Sequence, residues 1–166
     1  MGANNPSRSS YEAAGRLGRL VAEAGWVLLT GGRPAGVMEA ANAGAKTVAG
    51  SLTIGILPSD PDGPVSEHVD VAVFTALGDA RNAVNVLSSD VVVACGVEGP
   101  GTASEVALAL KARRPTILLA VLPVASEFFR TLPGAHLLHD AATPEAAVQT
   151  IEQQIGIPRW PRKPVG

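Results

Sequence analysis

The stretch Gly96-Val97-Glu98-Gly99-Pro100-Gly101-Thr102-Ala103-Ser104-Glu105 holds the residue types and spacing most suited to chemistry in this chain. It lies between an apolar run, Asp90-Val91-Val92-Val93-Ala94-Cys95, and an alanine- and leucine-rich one, Val106-Ala107-Leu108-Ala109-Leu110. A buried strand feeding a glycine turn that opens a helix is an anion-binding arrangement. Glycines let an anion approach the backbone, and the free N–H groups at the helix start, with the positive end of its dipole, attract negative charge. Many α/β proteins have such a loop and bind nothing there, so it needs partners before it counts as a site.

Two further loops supply candidates. Gly31-Gly32-Arg33-Pro34-Ala35-Gly36 and Leu77-Gly78-Asp79-Ala80-Arg81-Asn82 each follow an apolar run, and each brings an arginine beside a strand end. An isolated arginine is ordinarily a solvated surface charge; at a strand-end loop, Arg33 and Arg81 become charge partners for a phosphate. Glu105 has two readings. With Thr102 as N-cap it completes a capping box, which explains it structurally. From the first turn of the helix its carboxylate would also face a bound sugar or pterin.

Other chemistries find no support. No Gly-x-Gly-x-x-Gly follows the first strand, no acid stands at the end of the next to hold a ribose, and no Gly-Lys-Ser/Thr occurs, which argues against dinucleotide binding and ATP hydrolysis. No lysine sits at a strand-end loop to form a Schiff base. His136 and His139 lack the carboxylate or cysteine company of a metal site, and Cys95, at the end of an apolar run, reads as packing.

These loops need elements to hold them. Ser9 and Glu12 have capping-box spacing, and Leu17, Leu20, Val21 and Ala24 recur with helical period up to Gly25. Strands are expected at 26–30, 52–57, 69–74, 90–95 and 116–121, with a weak one at 136–138. Helices are expected at about 37–43, ending near Gly44, at 79–88, over the run after Gly101, at 124–130, and from Thr143-Pro144-Glu145 onward. Strands alternating with helices at these spacings predict an α/β fold with a doubly wound, mostly parallel sheet and helices on both faces. Ligands of such sheets sit outside the carboxyl ends of the strands, where the three loops fall.

Composition agrees. The 166 residues are 46% hydrophobic and 17% charged, with 18 glycines, which suits one domain with continuous buried strands. We expect a single domain over 1–156 and a Pro/Arg-rich tail over 157–166. A net charge of -2 argues against a nucleic-acid partner, and no apolar run is long enough to cross a bilayer. One cysteine and no leader-like start point to the cytoplasm.

Several segments, in order over about 9–155, resemble the molybdenum cofactor carrier proteins of algae and bacteria: Leu28-Leu29-Thr30-Gly31-Gly32-Arg33, Gly36-Val37-Met38, Thr53-Ile54-Gly55-Ile56-Leu57-Pro58, Leu77-Gly78-Asp79-Ala80-Arg81-Asn82, and Gly99-Pro100-Gly101-Thr102-Ala103-Ser104-Glu105 with the helix after it. That family belongs to a Rossmann-like superfamily shared with the Lonely Guy phosphoribohydrolases and proteins labelled lysine decarboxylases, whose common signature is Gly-x-Gly-Thr-x-x-Glu. The resemblance implies a non-catalytic homo-oligomer, dimer or tetramer, that holds the molybdenum cofactor (molybdopterin) as cargo and passes it to an apo-molybdoenzyme such as nitrate reductase. By position, Gly32, Arg33, Gly36, Arg81, Asn82, Gly99, Gly101, Thr102 and Glu105 would line the pocket. The alternatives are a nucleoside 5'-monophosphate phosphoribohydrolase, using Arg81 and Glu105, and a nucleotide sensor without turnover.

Two departures stand out. The phosphoribohydrolases carry Pro-Gly-Gly where this chain has Val97-Glu98-Gly99, which places a charge where a glycine meets phosphate. Relatives also place an apolar strand ahead of the Met-Gly turn that here is Met1-Gly2. The expectation is therefore a sheet without its first strand, rearranged at its centre around Gly2 to Asn4.

Overall fold

The apolar runs fold into alternating strands and helices in a computed structural model that describes residues 1–155. In chain order these are α1 (Arg8–Glu23), β1 (Leu28–Thr30), α2 (Gly36–Lys46), β2 (Thr53–Leu57), β3 (Val71–Phe74), α3 (Arg81–Ser88), β4 (Val92–Cys95), α4 (Pro100–Lys111), β5 (Thr116–Leu119), α5 (Pro123–Arg130), β6 (Leu138–Ala141) and α6 (Pro144–Ile155). Short 3-10 turns at Gly78–Ala80 and Ala135–Leu137 lead into α3 and β6. The expected tail at 157–166 lies outside the described residues.

All strand pairs are parallel. They form two three-stranded sheets, ordered β1-β2-β3 and β4-β5-β6. Alternation along β5 sends Ile117 and Leu119 to a core with Leu17 and Val21 of α1, Val37 of α2 and Ile151 of α6, while Leu118 packs on the other side with Val106 of α4 and Phe129 of α5. Helices thus cover both faces, as the sequence pattern predicts. β3 is an edge strand with all four residues exposed.

No ladder joins β1 to β4. Met1 bonds to β4: its amino group donates to the Val93 carbonyl at 2.7 Å, and its own carbonyl accepts from the Cys95 N–H at 2.9 Å. Gly2 then turns against Val37, and the Ala3 carbonyl accepts from the Val37 N–H at the start of α2. The sheet centre is open, as expected, and residues 2–4 are folded onto α2 rather than into the sheet.

Several local expectations change. α1 is capped by Ser7, whose hydroxyl accepts from the Ser10 N–H at 3.2 Å, whereas Glu12 pairs with Arg8 across one turn; the Ser9/Glu12 capping box does not form. The helix starts two residues earlier because Ser7 has a second use, described below. α2 does not stop near Gly44 but runs through to Lys46. The reason is packing: a Cβ on Gly44 would collide with the Gly15 carbonyl, and one on Gly18 with the Ala41 carbonyl. These glycines let α1 and α2 approach at backbone contact, so Gly44 is a packing residue and not a terminator. The weak strand expected at 136–138 is shifted: a 3-10 turn covers Ala135–Leu137, and β6 begins at Leu138.

Because the space at Gly18 is closed by backbone, a side chain there has nowhere to go. Gly18→Val is expected to lower the unfolding free energy by roughly 3 kcal/mol, at the upper end of overpacking costs. Gly101→Ala, where a Cβ meets nothing within 4 Å, is expected to stay within about 0.5 kcal/mol of the parent. Urea denaturation of both variants checks the contrast.

Candidate functional site

The loop after β1, the stretch from β3 into α3 and the loop after β4 meet at one rim, where they line a cavity of about 840 Å³. Arg33 from the loop after β1, Arg81 and Asn82 from the start of α3, and Gly99, Gly101, Thr102 and Glu105 from the start of α4 all line it. The structure therefore brings together seven of the nine residues expected to form the pocket.

Gly32 and Gly36 are not among the lining residues. A Cβ on Gly32 would sit 3.0 Å from Gly55 Cα, so this glycine lets the loop pass over β2. Gly36 gives way to the Ala3 and Asn4 carbonyls. Both shape the rim from behind. The glycine that borders the site is Gly31, where a Cβ would collide with Arg81 Nη1 and lie 2.6 Å from Met38 Sδ. Its missing side chain is the space through which the Arg81 guanidinium reaches the cavity.

Arg81 is the most unusual side chain here. Only 7% of it is exposed, and its buried Nε has no hydrogen-bond partner. Burial pulls its pKa down and repulsion from Arg33 adds to this, while Glu105 and Asp79 oppose them. Glu105 is likewise 7% exposed. Burial pushes its carboxyl above the ordinary value, against the pull of the Met1 ammonium, Arg81 and Asn85. Cation and acid thus share a partly desolvated space, and neither is fully paid back by the other. Such an arrangement suits a ligand that brings its own negative charge and its own polar edge.

Thr102 is not the N-cap of α4, and no capping box forms with Glu105. The helix begins at Pro100 with an extended Gly99 as N-cap and no side-chain cap bond, because proline favours the first helical turn. Thr102 and Glu105 are therefore inside the helix, buried, and on the face that lines the cavity. Gly99 and Gly101 present bare backbone, with open space where a Cβ would be. Asn85, Met38 and Met1 also line the site and were not anticipated. Asn85 stands one turn after Arg81 on α3, a spacing legible in advance; Met1 depends on a contact 92 residues away.

Glu98 has the use that draws Ser7 into α1. Its carboxylate accepts from the Ser7 N–H, the Ser7 hydroxyl and the Ser10 hydroxyl, each at 2.7 Å, and so fastens the loop after β4 to the start of α1. The charge expected to disturb a phosphate site is spent on this anchor. Cys95, beside it, donates to the Ser10 carbonyl at 3.2 Å, and burial pushes its thiol up to about 11, which agrees with packing and not with a nucleophile. Among the described residues no group of three or more His, Cys, Asp and Glu side chains could hold a metal ion.

The three hydrogen bonds hold the Glu98 carboxyl below its ordinary 4.5, the Ser10 hydroxyl contributing most. A carboxyl depressed in the folded state stabilises fully above its unfolded pKa and loses that contribution as pH falls through the folded value. Glu98→Ala is expected to cost about 1 kcal/mol at pH 7. The difference from the parent should shrink progressively below pH 4.5. Denaturation curves from pH 7 to pH 3 provide the check.

Comparison with known proteins places this geometry. The molybdenum cofactor binding protein from the phototrophic bacterium Rippkaea orientalis superposes with a TM-score of 0.88 at 50% identity, covering 93% of this chain and 94% of its own. The molybdenum cofactor carrier protein from Chlamydomonas reinhardtii gives a TM-score of 0.87 at 45% identity, covering 95% of this chain and 96% of its own. An uncharacterized protein of Archaeoglobus fulgidus is 43% identical over 111 residues, 67% of this chain and 71% of that protein. The model of the SLOG cluster4 family matches residues 1–148. With the Rossmann-like α/β fold and nearly the whole described chain inside that match, the chain belongs to the SLOG cluster4 family.

Proposed function

We propose that this protein binds the molybdenum cofactor at the rim of its sheet and carries it, without turnover, to an apo-molybdoenzyme such as nitrate reductase. The observation that carries the reading is Arg81: a guanidinium nine-tenths buried, its Nε unpartnered, lining the same cavity as the bare glycine backbone at the start of α4. A desolvated cation costs stability unless something anionic completes it, and the cofactor's phosphate is such a group. Asn82, Asn85 and Glu105 then offer donors and an acceptor to the polar edge of a pterin. The likeness to molybdenum cofactor binding and carrier proteins at 45–50% identity supports the same cargo.

The carrier works in the cytoplasm as a homo-oligomer in this reading. Val71, Val73 and Phe74 on the edge strand β3, with Leu77 and Leu87 nearby in sequence, are all more than a third exposed, which supports self-association. No helix among the described residues is long and apolar enough to cross a membrane.

The test mixes purified protein with molybdenum cofactor freshly released from a molybdoenzyme, separates it by size, and assays the protein peak for oxidised-pterin fluorescence and for reactivation of apo-nitrate reductase. The expected result is co-migrating pterin that reactivates the enzyme. Arg81→Met should retain at least about tenfold less, the loss of a hydrogen bond to a charged group, while melting within a few degrees of the parent. A folded protein that retains no pterin overturns the proposal, and nucleoside monophosphate hydrolysis then becomes the activity to assay.

A further inference from the structure

Two covered polar atoms at the site have no partner, and their residues stand one helical turn apart. Arg81 Nε and Asn85 Oδ1 are both wholly buried and both unbonded. Their residues lie at i and i+4 on α3, are 7% and 8% exposed, and both line the cavity. Side chains at that spacing share one face of a helix and meet each other. A buried polar atom without a partner is costly, and a donor beside an acceptor is the pair that can satisfy both at once.

The two atoms are complementary. Nε carries one N–H and cannot accept, whereas Oδ1 accepts and cannot donate. The orientation of the carboxamide follows from its other neighbour. Asn85 stands against Glu105 and opposes the rise of that carboxyl's pKa, as an amide does when it gives the carboxyl an N–H and leaves its own oxygen on the other side. A ligand in the cavity reaches neither covered atom. It reaches the far end of the guanidinium, whose Nη1 passes over Gly31, and there Arg33 repels Arg81. An anion held between the two arginines removes that repulsion and engages the Nη groups.

We propose that Asn85 is the positioning residue of the anion site: with an anion on the Nη groups of Arg81, the Nε–H donates to Asn85 Oδ1 while one Asn85 N–H donates to Glu105. One carboxamide then links the cation of the site to its acid. Its effect on the anion runs through Arg81, because fixing the plane of the guanidinium decides whether both Nη groups meet the same anion. The role rests on the rim being an anion site and not on which anion is carried, so inorganic phosphate is a sufficient probe.

The experiment follows the Arg81 side-chain Nε–H by nitrogen-edited NMR while inorganic phosphate is added to the full chain, the signal being identified by its absence in Arg81→Lys. Phosphate is expected to bind saturably, to shift the signal and to slow its exchange with water by about tenfold or more. Asn85→Leu has nearly the same volume and removes both polar ends of the carboxamide. A merely structural Asn85 would leave phosphate binding unchanged in that variant. The positioning role predicts about tenfold weaker phosphate binding at an unchanged or raised melting temperature, with no protection of the Nε–H. In the Arg81→Lys background, which keeps the charge and has no Nε–H, Asn85→Leu is expected to add no further loss. The proposal is overturned if the parent binds no phosphate, if its Nε–H is neither shifted nor protected on binding, if Asn85→Leu binds as tightly as the parent, or if the losses of the two substitutions add. The titration of the parent decides the case by itself should Asn85→Leu not fold. Phosphate bound without retained pterin counts against the carrier function alone.

Discussion

A parallel ladder obliges every strand to end on the same side of the sheet, and the organisation of this protein follows from that obligation. The loops after β1 and β4 and the start of α3 meet at one rim because no strand runs the other way. The same obligation makes the centre of the sheet demanding. Each interior strand must be paired on both edges, and β1 and β4 are each paired on one, with Met1 supplying a single rung to β4. The cavity lined by the rim residues extends between these two half-sheets.

Within the rim, desolvation sets the chemistry. Arg81 and Glu105 are equally buried, and burial moves both toward their neutral forms while their mutual attraction opposes it. A pair in water would gain little from each other. Here, the unpartnered Arg81 Nε leaves the interaction incomplete, which is why the site reads as built for an incoming anion and not as a closed structural ion pair. The absence of Cβ atoms at Gly31, Gly99 and Gly101 serves the same end by admitting the guanidinium on one side and leaving backbone exposed on the other.

The rim is held in place by contacts remote from it. Glu98 ties the glycine loop to Ser7 and Ser10 of α1, and α1 is seated on α2 at backbone distance through Gly15, Gly18 and Gly44. The Thr30 hydroxyl, bonded to Asn42 of α2, accepts from the Gly32 N–H and sets the entry of the loop after β1. Both glycine loops are thus referred to the same pair of helices, so the positions of Arg33 and Gly99 are set by one packed unit.

The sequence by itself determined the α/β alternation, the parallel sheet and the residues of the three loops, because hydrophobic period and glycine or proline punctuation are local properties. Arg33, Arg81, Asn82, Gly99, Gly101 and Thr102 were legible for that reason, each lying in a loop after a strand or in a first helical turn, and Glu105 follows Thr102 by one turn on the same face of α4. Local rules failed where two segments compete for the same residue. Gly44 reads as a stop in isolation yet lies within α2 against Gly15, and Ser9 yields the cap to Ser7 because Ser7 also meets Glu98. Gly32 and Gly36 look like ligand glycines, but which glycines face the cavity depends on what passes behind them, Gly55 in one case and residues 3–4 in the other. Only the tertiary structure decided that the Arg81 guanidinium is buried with an unpartnered nitrogen, and that Met1 stands in register beside β4. Both depend on contacts between segments far apart in the chain, and no periodicity within a segment encodes what another segment brings to it.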